Sequence, residues 1–183
     1  MKKALSIIET FDLAVQNHQK KNYQVAINLY NSILKIEPDH FKSIFSLGSL
    51  LLQIKRFDLA KPLLHKAIQI NPNYAFAHNN LGNVLKELGE HQKAISSYEK
   101  AIQINPNYVL AYNNLGKVFG ELNEFNKSAN YYEKALKLDP NRKETCDGYG
   151  NLLLKLNQHS KALSYIKKST GFISFTQKDF KII

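Results

Sequence analysis

Six histidines, one cysteine and 15 carboxylates are the groups in this 183-residue chain that could do acid–base, nucleophilic or metal chemistry. Their spacing argues against each use. His18, His40, His65, His78, His91 and His159 are scattered, with no His-Glu-x-x-His and no Cys/His cluster to ligate a metal. Cys146 stands alone, which excludes an intramolecular disulfide and a four-thiolate zinc site, and no base is placed beside it to make it a nucleophile. Carboxylates sit next to lysines, as in Glu99-Lys100 and Glu133-Lys134, and read as solvated helix faces rather than paired catalytic acids. The glycines are too far apart for a phosphate loop. No catalytic residue, metal site or cofactor is expected, and the chain is not expected to be an enzyme.

The polar chemistry that does recur is amide chemistry. Two segments run in parallel, His78-Asn79-Asn80-Leu81-Gly82-Asn83 and Tyr112-Asn113-Asn114-Leu115-Gly116-Lys117. Asn79, Asn83 and Lys86 share an i, i+4, i+7 helical face, opposite an apolar stripe through Leu81 and Leu85. Asn113 and Lys117 repeat that face, Asn151 and Lys155 extend it forward, and Ser49 and Gln53 extend it backward. A carboxamide offers a donor and an acceptor, the same pair an extended peptide backbone offers at each residue. A face built from Ser49, Gln53, Asn79, Asn80, Asn83, Lys86, Asn113, Asn114, Lys117, Asn151 and Lys155 therefore suits a peptide. The alternative is an ordinary wet helix face in an Asn- and Lys-rich chain.

The elements that must carry this face follow from a 34-residue period. Proline recurs at Pro38, Pro72, Pro106 and Pro140, and glycine at Gly48, Gly82, Gly116 and Gly150. A small residue recurs at Ala26, Ala60, Ala94, Ser128 and Ala162, and a bulky one four later, at Tyr30, Leu64, Tyr98, Tyr132 and Ile166. His78, Leu81, Gly82 and Leu85 fall on one face of a first helix, and Ala94, Tyr98 and Ala101 on one face of a second. The turn Leu88-Gly89-Glu90-His91 lies between them, with a helix-ending glycine. Glycine inside a helix costs about 1 kcal/mol relative to alanine, so its recurrence implies close approach of another helix. Asn-Pro or Asp-Pro ends the second helix, because the residue before proline is driven out of helical conformation. Pro62 falls inside a second helix and predicts a late helix start or a kink. His91 and His159 take the position of Tyr23, Phe57 and Phe125 and read as packing residues, and Cys146 reads as a buried structural thiol.

This Leu-Gly, Ala, aromatic, Pro pattern resembles the tetratricopeptide repeat (TPR). Five units fit, at 7–40, 41–74, 75–108, 109–142 and 143–176. The resemblance implies an all-α, right-handed superhelical solenoid of about five helix-turn-helix TPR units, each stacking on its neighbours because it cannot bury its own apolar face. It also implies that the first helix of each unit lines a concave surface. The asparagines there are similar to the Asn-rich groove of the repeat region of O-linked N-acetylglucosamine transferases. The lysine-and-asparagine clamp of chaperone-binding members is not matched, since its leading position reads Phe11, Phe45, Asn79, Asn113 and Asp147. The function implied is a non-catalytic protein–protein interaction scaffold that binds a peptide segment of a partner. A substrate-recruiting module of a larger enzyme, of glycosyltransferase or oxygenase type, is the alternative.

The formal charge of +10 is carried by both ends of the chain. It favours an acidic protein or peptide partner, or else is a lysine-rich solubilising surface. Nucleic acid is disfavoured, because the aromatic residues sit at packing positions rather than in an exposed basic-aromatic run. No apolar run reaches the roughly 20 residues of a membrane span. The start, Met1-Lys2-Lys3-Ala4-Leu5-Ser6-Ile7-Ile8, reads as the beginning of a helix and not as a signal peptide, and a cytoplasmic setting is expected. Exposed solenoid ends make self-association an expected possibility. Residues 170–176 alternate like a strand, and 177–183 form a non-repeat C-terminal tail that either folds back over the last helix pair or begins a further domain.

Overall fold

The computed structural model describes residues 6–171, 173–175 and 180–182. Among them are ten helices, α1 to α10, joined as five hairpins and followed by one two-stranded hairpin. The chain divides into two compact units between residues 104 and 105. The first holds α1 (Ile7–Gln19), α2 (Tyr23–Ile36), α3 (Phe41–Gln53), α4 (Phe57–Ile70), α5 (Ala75–Glu87) and α6 (His91–Ile104). The second holds α7 (Val109–Glu121), α8 (Phe125–Leu138), α9 (Lys143–Lys155), α10 (His159–Thr170), β1 (Ile173–Phe175) and β2 (Phe180–Ile182). The ten helices form the helix-turn-helix hairpins that the period implies, packed on one another within each unit.

Each hairpin is closed by the same device. The residue after the first-helix cap has positive φ at Lys21, Lys55, Gly89, Asn123 and Asn157, one period apart each time. Around it the chain makes the paired bonds of a Schellman motif, for example Arg56 N–H to Leu51 O at 2.8 Å and Lys55 N–H to Leu52 O at 3.0 Å. Only Gly89 of the five adopts this backbone without a steric penalty. The second helices stop where proline follows. Asn71, Asn105 and Asp139 then accept a bond from the backbone N–H two residues on, closing an Asx turn into the next first helix.

The recurrent glycines are where a hairpin's two helices touch. A β-carbon on Gly82 would lie 2.5 Å from the Tyr98 ring, and one on Gly116 would lie 2.8 Å from Tyr132. Tyr98 is fully buried as a result, as are Tyr30, Leu64 and Ile166 at the matching positions. Within the first unit α2 packs on α3 and α4 on α5; within the second, α8 packs on α9. Residue 146 also has a period-related role. Cys146 Sγ approaches Pro140 O at 3.7 Å, as His78 Nε2 contacts Pro72 O at 2.8 Å two hairpins earlier. Cys146 is buried, as expected of a structural thiol.

Pro62, His159 and the tail each differ from the regular repeat. Helix α4 begins at Phe57, in register with its counterparts, so Pro62 causes no late start. It sits in the second turn instead, and Asp58 O loses its N–H donor on a solvent-exposed flank where water can replace it. His159 is exposed on the last described helix, whereas His91 is half-buried. The strand-like tail forms an antiparallel hairpin, pairing Ile173 with Ile182 and Phe175 with Phe180. That hairpin straddles the expected boundary at 176, and β1 lies against α10. Phe172, Thr176 and residues 177–179 and 183 of that expectation lie outside the described residues, as do Met1 to Leu5 of the start.

Candidate functional site

On an α-helix each residue advances about 100°, and that angle decides which polar side chains are presented. Asn79 lies three residues before Gly82, roughly 60° round the helix from it, on the flank of the buried stripe. It is only 3% exposed, and Asn113, its counterpart before Gly116, only 2%. The expectation that these two asparagines lie on an open groove is thus corrected. Asn79 Nδ2 turns along its own helix to Asn80 Oδ1 at 3.4 Å, and Asn113 Oδ1 is buried without a hydrogen-bond partner.

Of the other polar residues of the first unit, Ser49, Asn80, Asn83 and Lys86 are half-buried and Gln53 is exposed, and Ser49, Asn80, Asn83 and Gln53 link one helix to another. Asn80 Nδ2 donates to Ser49 Oγ at 2.9 Å, which in turn donates to Phe45 O at 2.8 Å, linking α5 to α3. Tyr98 donates its hydroxyl to Asn83 Oδ1 at 2.8 Å, linking α6 to α5. Lys86 pairs with Glu87. Gln53 bridges His18 Nε2 at 2.8 Å and the Tyr23 hydroxyl at 3.2 Å. These side chains therefore position the helices as well as facing outward.

In the second unit the face is more open. Lys117, Asn151 and Lys155 are exposed, and all three line one cavity of about 290 Å³ between α7 and α9. Asn114 is half-buried beside them on α7 and is not part of that lining. Glu121, Asp147 and Tyr132 complete the rim and floor. Burial pushes the Tyr132 phenol well above its ordinary pKa, and the negative charges of Glu121 and Asp147 add to the shift. The floor therefore stays neutral while the rim carries both signs of charge. Sequence reasoning passed over Glu121 and Asp147, although the signal was present. Glu121 lies four residues after Lys117 and Asp147 four before Asn151, on the same helical faces. Tyr132 reads from sequence as core; its hydroxyl lies 2.8 Å from where a β-carbon on Gly148 would stand, and both residues line the cavity.

Nothing among the described residues forms a metal site: no group of three or more His, Cys, Asp or Glu could hold an ion. No helix among them is long and apolar enough to cross a membrane.

Family models described as "Tetratricopeptide repeat" match residues 41–74, 63–96 and 109–142, and one described as "TPR repeat" matches 82–123. Together they run from residue 41 to residue 142, more than half the chain. Among solved structures, that of a MamA protein is 25% identical, covers 90% of each chain and superposes with a TM-score of 0.76. PilF of Pseudomonas aeruginosa is 22% identical over 90% of this chain and 75% of its own, with a TM-score of 0.81. A thermophilic TPR protein of Thermus thermophilus is 20% identical over 91% of each chain, with a TM-score of 0.76. The latter two likenesses are of fold alone. No curated protein sequence matches the chain.

Proposed function

Because the chain belongs to the tetratricopeptide repeat family, whose members commonly mediate protein–protein interaction, we propose that it is a non-catalytic scaffold that binds a peptide segment of a partner protein. The binding surface is the open face of the first helices, and in the second unit it is the cavity between α7 and α9. The observation that carries this reading is the set of exposed Lys117, Asn151 and Lys155 around one cavity with Glu121 and Asp147. The Asn151 amide can both donate to and accept from a peptide bond, while the flanking charges select side chains of opposite sign. Exposed pairs of this kind act mainly on specificity and encounter rate.

The test is affinity capture from native lysate with the intact chain beside a Lys117→Glu/Lys155→Glu chain. A protein retained by the first and lost from the second supports the reading. Equal retention by both places the partner elsewhere and overturns it.

A further inference from the structure

A second cavity, of about 460 Å³, opens within the first unit between α1 and α3. Its chemistry differs from that of the α7–α9 cavity. His18 and Lys21 stand at its rim, Tyr30 and Phe45 form its wall, and Ser46 adds a hydroxyl. No aspartate or glutamate is among the residues that line it. The Tyr30 ring is fully buried, yet its hydroxyl meets no partner at full hydrogen-bond geometry. The Ser46 hydroxyl lies near enough to offset in part the burial that raises the Tyr30 phenol's pKa, but it does not complete that bond. A buried hydroxyl left without a partner is costly, and its donor is available to whatever enters the cavity.

The surrounding hydrogen bonds fix the position of His18 at the rim. Gln53 donates its amide nitrogen to the Tyr23 hydroxyl, so its Oε1 faces His18 Nε2 at 2.8 Å and must accept. His18 therefore donates through Nε2, and its ring is held edge-on to Tyr23. The rim is thus fixed on one side and carries the Lys21 ammonium on the other. Tyr30, Ser46 and Lys21 present three donors, with no negative charge opposing them and the Phe45 ring to cover a short aliphatic stem.

We propose that this cavity is a carboxylate-accepting subsite, filled by an aspartate or glutamate side chain of the bound peptide. The inference rests on the peptide-binding reading above and extends it to the first unit. The carboxylate would take the Tyr30 hydroxyl proton as a hydrogen bond and pair with Lys21 at the rim. Charge-assisted bonds of this kind are the strong ones. A free dicarboxylic acid offers the same chemistry and is the other source to separate.

The experiment is a heteronuclear NMR titration of the full chain with three probes. These are acetyl-Ala-Ala-Glu-Ala-Ala-amide, the same peptide with Gln for Glu, and glutarate. The glutamate peptide is expected to shift the Ser46, Ser49 and Lys21 amides saturably, with the glutamine peptide about tenfold weaker. Tyr30→Phe removes only the unpaired hydroxyl and so leaves folding intact; it should weaken the glutamate peptide about fivefold or more and leave the glutamine peptide unchanged. Equal affinity for the two peptides, or a Tyr30→Phe chain that binds as before, overturns the subsite. Peptide-induced shifts confined to α7 and α9 overturn it too, while leaving the scaffold reading standing. Saturable binding of glutarate with no response to either peptide supports a carboxylate site but removes the peptide as its source, and with it the peptide reading for this unit.

Discussion

Gly82 and Tyr98 are a steric pair: the hydrogen on Gly82 leaves room that a methyl group would take from the Tyr98 ring, which lies 2.5 Å from the would-be β-carbon. The ring is fully buried and its hydroxyl is bonded to Asn83, so it cannot swing away without losing both. At the matching contact Gly48 faces Leu64 at 3.2 Å, a looser fit against a flexible side chain. Gly82→Ala should therefore destabilise the chain by about 1–3 kcal/mol despite alanine's higher helix propensity. Gly48→Ala should be near neutral, and Gly82→Ala/Tyr98→Leu should recover part of the loss. Urea denaturation of the three variants checks the order. A Gly82→Ala chain as stable as the parent would mean that the helices separate easily there.

The hairpin turns make an opposite prediction for glycine. Lys55 holds φ at 60°, a backbone that a side chain with a Cβ disfavours, while Gly89 holds φ at 76° in the same place one period on. Lys55→Gly should stabilise by about 1 kcal/mol, the left-handed penalty less glycine's greater freedom when unfolded. Gly89→Lys should cost a similar amount. Urea midpoints that move the other way would show that the Lys55 side chain makes a contact worth more than the strain.

Glu90 is held by Lys61 and Lys93, each at 2.6 Å. The hydrogen bond from Lys61 and then that from Lys93 lower its carboxyl from 4.5 to about 2. A carboxylate depressed on folding stabilises the folded chain above its unfolded pKa, and that contribution fades as pH falls through the folded value. The parent and Glu90→Gln chains should therefore differ by a constant amount above about pH 5 and converge between about pH 4.5 and 2. Urea midpoints measured across that range test it. A gap that persists at pH 2 would mean that the ion pairs contribute through packing and not through charge.

Cys146 is buried, and burial raises its thiol above the ordinary range, with Lys168 pulling the other way. Thiolate reagents need both access and ionisation. Labelling of the native chain should be at least about a hundredfold slower than labelling in urea, and limited by opening of the fold. Fast native labelling would place the thiol at the surface.

Much of this molecule is legible without coordinates. The 34-residue spacing of Pro72, Pro106 and Pro140, of Gly82 and Gly116, and of Ala94 and Tyr98 yields the hairpins, their ends and the close helix contact. These are local consequences of which backbone each residue tolerates and of the 3.6-residue helical repeat. The same period places Cys146 with His78, and both are indeed buried against the carbonyl of the preceding proline.

Only the tertiary structure decides what each polar residue does. Asn79 and Asn80 are neighbours in sequence and both amides, yet one is closed off and the other bonds Ser49 across to α3. A helical wheel separates them by about 100° but carries no information on which neighbouring side chain fills the space beside each. The cavity floors at Tyr30 and Tyr132 are likewise set by where the next first helix lies. The left-handed turns at Lys21 and Lys55 are imposed by closure of each hairpin on residues that do not favour that backbone, whereas Asn123 and Asn157 tolerate it. Local pattern fixed the repeating frame because it depends on near neighbours in sequence; the candidate binding surface depends on neighbours one or two helices away, and packing alone determines it.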